Sequence, residues 1–258
     1  MALLKVRRTI HQHGLRITLK KIMTAIPLYL GNISRWQLRR CQCCERLTVF
    51  LAHRNDLPEF RSCLFCSANE RYELLAAEIR SRYRDQLSAM EVLELDPSSP
   101  LQSMLSQART FTRSFYQEGR VVRKNNGAVC EDITALTFKD ACFDLIVSSD
   151  VLEHVHRLDD AFHETARVLK PGGAHLFTVP PRALTRQRAK IVNGEIHYIE
   201  PPEYHSDPQS SSGILAFWDI GSDLASTLPT PDLHIHIVRG PTSSSGRVVW
   251  IAEQVALP

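Results

Sequence analysis

The spacing of apolar residues changes along this chain, and the changes mark its elements. Ile17, Ile22, Ile26 and Leu30 recur at helix-compatible intervals interrupted by Pro27 and Gly31, which predicts one or two short amphipathic helices. Residues 68–87 are rich in helix formers and carry Leu74, Leu75, Ile79 and Tyr83 at helical spacing, which predicts a longer helix. Beyond it the apolar positions gather into short runs. AMEVLEL (ending near Glu94), RTFTRSFY, a segment that follows the Asn126-Gly127 turn and reaches Asp132, FDLIVSS and AHLFTVP read as strands. LQSMLSQA and LDDAFHETARVLK read as helices between them. Asp159 and Asp160 suit the first turn of the second, and Pro171-Gly172-Gly173 marks its stop. LHIHIVRG and RVVWIAEQVAL read as a closing antiparallel strand pair.

Strand and helix alternating in this way predict an α/β domain with a parallel sheet covered on both faces. Sheets of this kind take ligands beyond the carboxyl ends of their strands, where the strand order reverses. The tips that matter are therefore residues 94–100, 114–118, 131–133 and 148–156.

Charge divides the chain unevenly. Nine bases (Lys5, Arg7, Arg8, Arg16, Lys20, Lys21, Arg35, Arg39 and Arg40) and no acid precede Cys41, leaving 22 bases and 28 acids for the remainder. Residues 1–40 thus form a basic arm on an acidic body. Packing on the body, contact with anionic lipid or nucleic acid, and removal as a targeting peptide all stay open for it. No stretch approaches the ~20 apolar residues that a bilayer crossing requires, and 43% hydrophobic with 23% charged residues suits a soluble globular protein.

Five of the seven cysteines crowd between residues 41 and 66, which suits a reducing, cytoplasmic setting in which thiols hold metal. Cys41-x2-Cys44, an eighteen-residue spacer and Cys63-x2-Cys66 form two thiolate pairs, each on one tight turn. Four sulfurs fill a tetrahedral zinc shell and leave no place for water, so a structural zinc is expected. Cys43 is a spare, and Cys130 and Cys142 read as small apolar fillers. The organisation that follows is an arm (1–40), a zinc ribbon (41–70), a linking helix (71–88) and an α/β domain (89–258).

FDLIVSSDVLEHV followed by AFHETARVLKPGGAHLFTVP resembles the region around strands four and five of class I S-adenosylmethionine-dependent methyltransferases, and CEDITALTF resembles the tip of that family's strand three. The cysteine module ahead of these segments and PPEYHSDP after them resemble a zinc-ribbon subgroup. The likeness spans roughly residues 40 to 220. It implies a Rossmann-like, mostly parallel seven-stranded sheet and S-adenosylmethionine as methyl donor. It also assigns places. Glu94 stands where the family's acid holds the loop around the methionine end of the cofactor, with Asp96 and Pro97 following. Asp132 stands where an acid meets the adenine amino group, with the Ile133 N–H beside it, and Ser149 and Asp150 end strand four. Glu118 is the candidate for the ribose hydroxyls. The sequence departs from the family in the first loop, where Asp96, Ser98 and Pro100 replace glycines, so this loop must run extended and proline-fixed.

Methyl transfer from a sulfonium needs alignment and, for a hydroxyl acceptor, loss of a proton. His154 and His205 are the candidate bases, with packing or loop-capping roles as the alternative. Asp150, Glu153 and His154 also resemble the cluster with which ubiquinone-pathway O-methyltransferases hold a divalent cation. PPEYHSDP gathers Glu203, Tyr204, His205 and Asp207 where this fold builds its acceptor pocket, for a polar small molecule or glycan methylated at oxygen. An RNA methyltransferase gripping through arm and ribbon, and a degenerate scaffold of the same fold, are the competing expectations.

Overall fold

The computed structural model describes residues 31–52, 58–117, 127–207, 210–228, 230–238 and 246–255. Most of the basic arm and Glu118 lie outside the described residues. The chain divides into two compact units. One contains the cysteine module, most of the following helix and residues 98–104; the other contains the large sheet.

In the first unit a three-stranded antiparallel sheet is built from β1 (Gln37–Arg40), β2 (Leu47–Ala52) and β3 (Arg61–Cys63). The pairing therefore begins ahead of Cys41 and draws in the last bases of the predicted arm. The helix Glu70–Tyr83 follows this sheet, and its Leu74, Leu75 and Ile79 are buried as their spacing predicts. Glu73 fastens the two together. Its carboxylate accepts from the Arg39 guanidinium at 2.8 and 2.5 Å and from the Gln42 N–H at 3.0 Å.

The second unit is built on a seven-stranded sheet of β4 (Glu91–Glu94), β5 (Thr110–Phe115), β6 (Val129–Cys130), β7 (Phe143–Ser149), β8 (Leu169–Thr178), β15 (Leu233–Val238) and β16 (Val249–Gln254). The spatial order is β15-β16-β8-β7-β4-β5-β6, and every pairing from β8 to β6 is parallel, whereas β16 runs antiparallel to both its neighbours. The order reverses between β4 and β7. β7 is buried along almost its whole length because a strand sits against each of its edges and its faces are covered as well. The helix Leu158–Val168 covers one face with Leu158, Ala161, Phe162, Ala166 and Val168, which join Ile146, Phe177 and Trp250 in the main core. Cys130 packs with Phe115 and Ala128, and Cys142 lies against the main core, so both act as the small fillers anticipated.

Three elements differ from the sequence reading. The segment LQSMLSQA makes only one helical turn, Gln102–Leu105, because few residues separate β4 from β5. The helix before Pro171 stops at Val168 rather than at the Pro-Gly-Gly run, since the residue preceding a proline is driven out of the helical region. Residues 170–173 instead bulge from β8, whose register against β7 jumps from Phe143–Leu169 to Leu145–Ala174. Gly173 is required there: a Cβ would sit 2.9 Å from the Lys170 carbonyl oxygen and 3.1 Å from those of Phe143 and Asp144. The third difference is the stretch after β8, to which the apolar pattern assigns no element and which forms a series of hairpins. β9 (Arg186–Gln187) pairs with β14 (Trp218–Asp219), β10 (Ala189–Val192) with β11 (Glu195–Tyr198), and β12 (Tyr204–Asp207) with β13 (Ser210–Leu215). Asn193 and Gly194, both at positive φ, turn the second hairpin. Gly213 lets the third close, because a Cβ would meet the His205 carbonyl oxygen at 2.5 Å.

His175, fully buried in β8, has its Nε2 2.8 Å from the Ser148 hydroxyl. Burial pushes its imidazole from 6.5 down to about 3. Between those values the unfolded chain takes up a proton that the folded protein refuses. The stability His175 contributes is therefore whole above pH 6.5 and declines as the pH falls toward 3. Urea unfolding at a series of pH values should show stability falling below pH ~6.5 by up to about 1.4 kcal/mol per unit. His175→Leu should flatten that part of the acid limb, while costing about 1–3 kcal/mol at neutral pH through the unpaired Ser148 hydroxyl.

Candidate active site

The carboxyl ends of β6, β5, β4 and β7 stand side by side in the second unit, and the acids the sequence singles out lie on this row. Glu94 ends β4 and is buried. β7 continues past it, with the Leu95 N–H donating to the Val147 carbonyl at 2.9 Å. No residue from 95 to 100 has positive φ, in keeping with a loop that lacks glycine and carries two prolines. Beyond β6 two adjacent acids take different roles. Glu131 is committed to Thr137, accepting from its N–H at 2.9 Å and its hydroxyl at 2.6 Å. Asp132 uses Oδ1 for the Thr134 N–H and hydroxyl, at 2.9 and 2.8 Å, which caps the turn and fixes the carboxylate plane. Among the described residues nothing donates to its Oδ2. Ile133 sits in the core and anchors that turn. At the end of β5, Ser114 and Phe115 are buried and Tyr116 is 64% exposed, so the tyrosine is the residue presented at that tip.

β7 ends in a sharp change of direction. Asp150 takes φ +52, a left-handed conformation that aspartate tolerates, and its N–H donates to the Thr178 carbonyl at 2.9 Å. The Ser149 hydroxyl accepts from Thr178 at 3.1 Å. Asp150 Oδ1 accepts from Thr178 at 3.3 Å and from the buried Arg247 at 3.0 Å. Both side chains therefore serve the sheet end, and the expected grouping of Asp150 with Glu153 and His154 is not what the fold assembles.

Glu153 and His154 follow on a single 3-10 turn, Leu152–His154. They meet His205, which the β12–β13 hairpin brings from fifty residues away in the sequence. Glu153 Oε1 lies 3.7 Å from His154 Nε2 and 3.6 Å from His205 Nδ1, and the two rings cross edge to face with centroids 4.9 Å apart. The far nitrogen of each ring is held in turn. His154 Nδ1 is 2.9 Å from the Leu215 carbonyl, and His205 Nε2 is 3.1 Å from Glu203 Oε1. Glu153, the strongest influence on His205, raises its affinity for a proton; burial opposes this and Glu203 adds to it. Both base candidates therefore converge on one buried carboxylate.

A charged scaffold holds the hairpins in place. Asp219, nearly inaccessible, accepts from Arg186 Nε at 2.8 Å and Arg188 at 3.0 Å, and forms an ion pair with Arg182, whose Nε lies 3.0 Å from Oδ1. Burial opposes the ionisation of Asp219, but the hydrogen bonds from Arg186 and Arg188 and the charge of Arg182 outweigh it and hold the carboxyl below its usual range. Glu203 is likewise held low against burial by His205 and the Arg182 guanidinium, with which it is paired. Main-chain bonds finish the assembly. Phe217 N–H donates to the Glu153 carbonyl at 2.8 Å, and Ala216 N–H to that of Glu203 at 2.9 Å. Arg182, Arg188, Asp219 and Arg247 escaped the sequence reading, since a base or acid bound for a buried ion pair carries no local mark that separates it from a solvated one.

In the first unit the four expected ligands meet. Sulfurs of Cys41 and Cys66 lie 3.5 Å apart and those of Cys44 and Cys63 3.8 Å apart, with all four ligand atoms within 4.8 Å of one another. Zinc–sulfur bonds of about 2.3 Å in a tetrahedron put sulfurs roughly 3.8 Å apart, so the donor set fits. The two turns are copies of each other. Glu45 N–H returns to the Cys41 carbonyl and Ser67 N–H to that of Cys63, with Glu45 and Ser67 both at positive φ. Cys66 N–H points at the Cys63 sulfur, 3.4 Å away. Cys43, the spare, donates to the Tyr72 carbonyl at 3.3 Å and helps seat the helix.

Residues 79–177 match the family described as "Methyltransferase domain". A malonyl-[acyl-carrier protein] O-methyltransferase of Methylovorus sp. (strain MP688) is 31% identical over 123 residues, 47% of this chain and 38% of that protein. The chain thus spans well under half of that curated relative. Among solved structures, an S-adenosylmethionine-dependent methyltransferase from Mesorhizobium loti aligns at 14% identity and a TM-score of 0.46, covering 69% of this chain and 97% of that one. A chain from the complex of the Haloferax volcanii Trm112 methyltransferase activator with a putative methyltransferase aligns at 13% identity and a TM-score of 0.47, covering 73% of this chain and 91% of that one.

Asp219→Asn should loosen the hairpin array by removing the charge that Arg182, Arg186 and the buried Arg188 share, at a cost of about 3 kcal/mol. Hydrogen exchange should quicken across residues 182–219 while amides of β4 and β7 keep their protection; uniform exchange throughout would refute this role.

Proposed function

Because the chain carries a class I S-adenosylmethionine-dependent methyltransferase domain, we propose that it methylates an oxygen of a polar small molecule or glycan, with a structural zinc in its four-cysteine ribbon. The observation that supports this most is the placement of Glu94 and the β7 tip on adjacent strand ends where strand order reverses, with Asp132 beyond β6 in the same row, all within the segment that matches the family. The donor is a cation with an amino acid at one end and an adenine amino group at the other, so it calls for acceptors at both. Glu94 supplies a carboxylate at the first and Asp132 Oδ2 one at the second, with Glu131 excluded by its bonds to Thr137. S-adenosylmethionine brings an activated methyl group; the chain has only to orient the acceptor and receive its proton.

The Glu153–His154–His205 group is where that proton leaves. Its rings are fixed by Leu215 and Glu203, and it sits on the same β7 exit as Ser149 and Asp150. The hairpins of residues 186–219 form the acceptor side, with Tyr198 and Tyr204 exposed and their hydroxyls 3.2 Å apart, a pair suited to stacking against a sugar or other polyol. No described helix is long and apolar enough to cross a membrane, and a cytoplasmic setting suits a chain whose thiols bind metal. The relative from Methylovorus acts on a carrier-bound malonyl group, as its name states; transfer to oxygen is the part of that chemistry proposed for this chain.

Titration with S-adenosylmethionine should release heat at micromolar ligand. Asp132→Asn, which keeps an oxygen for the Thr134 cap, should bind at least about tenfold more weakly, a loss of ~1.4 kcal/mol; absence of binding by the parent protein would refute the enzymatic reading. For the ribbon, metal analysis should find zinc that Cys63→Ser fails to retain. Chelation should melt the segment around β1–β3 in circular dichroism, and a chelated chain that stays folded there would show the zinc to be dispensable.

A further inference from the structure

Three electron-pair donors face one another at a single buried point beyond β7, an arrangement that calls for a positive charge between them. His154 Nδ1 lies 2.9 Å from a carbonyl oxygen, which only accepts, so this nitrogen carries the hydrogen and Nε2 keeps its lone pair. His205 Nε2 lies 3.1 Å from the Glu203 carboxylate, so in the neutral ring this nitrogen carries the hydrogen and the lone pair falls on Nδ1. Those two lone-pair nitrogens are the ones that approach Glu153 Oε1, at 3.7 and 3.6 Å. Glu153 itself is 2% exposed, and among the described residues no donor lies within 3.5 Å of either carboxylate oxygen in hydrogen-bonding geometry. A buried carboxylate without donors is costly, and two further lone pairs aimed at it add to the cost.

We propose that Glu153, His154 and His205 bind a first-row divalent cation, of the zinc or iron(II) class. Two imidazoles and one carboxylate suit such ions and leave coordination positions open for an oxygen ligand. Zinc–nitrogen and zinc–oxygen bonds near 2.1 Å set ligand atoms of a tetrahedral site about 3.4 Å apart; both nitrogens are within a few tenths of an ångström of that distance from Glu153 Oε1, and all three ligand atoms lie within 4.8 Å of one another. The outer contacts are those that metal-bound histidines require. Each ring donates its second N–H to a carbonyl or carboxylate, which fixes its tautomer and orientation. Glu203 is backed by Arg182 and Arg188, and the Glu153 main chain by Phe217. Asp150 is not a ligand, because Arg247 and Thr178 take its Oδ1. An acceptor hydroxyl coordinated to such an ion loses its proton near neutral pH. The site stands without the methyl-transfer reading, since it rests on these three side chains alone.

The full-length protein, dialysed against micromolar Zn²⁺ and analysed for bound metal, should hold about one ion per chain more than His205→Ala or Glu153→Gln under the same conditions. Circular dichroism must show the variants folded. Should loss of the buried Glu153 unfold the chain, the half-exposed His205→Ala carries the comparison. With Co²⁺ in place of zinc, the difference spectrum between parent and His205→Ala should show the weak visible bands of nitrogen and oxygen ligands without sulfur-to-metal charge transfer. Equal metal content in parent and variants, or a difference spectrum of thiolate character, overturns the site and leaves a proton on one imidazole as the charge between these groups. A protein that shows the extra ion yet transfers no methyl group would instead count against the proposed function.

Discussion

The burial of β7 between β4 and β8 governs the rest of the second unit. A strand paired on both edges and covered on both faces cannot slip by one residue without turning its apolar set toward the wrong side, so the position of its last residue is fixed. Ser149 therefore always delivers the chain at the same height, and the left-handed turn at Asp150 releases it across the row of strand ends rather than along the strand. Glu153 and His154 come three and four residues later, already in place. The active-site candidates on this side are a consequence of packing several residues upstream.

The partners of that turn are recruited by charge rather than by apolar burial. The stretch from residue 181 to 219 contributes little to the main core, and its small cluster of Ala189, Leu215 and Phe217 is modest. Asp219 compensates by drawing three guanidinium groups onto one buried carboxylate. A buried ion network gives less net stability than apolar packing of the same volume, but it is directional. It dictates where the β12–β13 hairpin ends, and so where His205 and Glu203 stand relative to Glu153. The exposed apolar residues of this region, such as Ile191, Ile196 and Tyr198, show that its architecture does not depend on hiding every hydrophobic group.

The ribbon follows a different logic. Its sheet is too small to sustain a core, and its four sulfurs take the place that apolar side chains occupy elsewhere. Glu73 and Cys43 then transmit that order to the helix Glu70–Tyr83 through short contacts from a carboxylate and a thiol. Each unit thus has its own organising feature, a four-thiol cluster in one and sheet burial in the other.

Much of this was legible in the chain itself. The apolar runs located β4, β5, β7, β8, β15 and β16, because strands that enter a sheet core concentrate apolar residues, and paired thiols at fixed spacing located the four-cysteine cluster, because each pair needs one tight turn. Asp132 was separable as a candidate, yet only the fold shows that its neighbour Glu131 is spent on Thr137. The hairpins of residues 186–219 left almost no mark: Pro208 to Gly213 is rich in Ser, Gly and Pro and reads as loop, and the strand that starts at Ser210 is made by pairing with the backbone of β12. Likewise the grouping of Glu153 with His205 in place of Asp150 depends on Arg247, a residue ninety-seven positions from its partner. Local sequence thus determined which segments had to be buried and which turns could hold metal. Tertiary structure alone decided which charged side chains would meet, since an ion pair is specified by two distant positions at once and by neither of them singly.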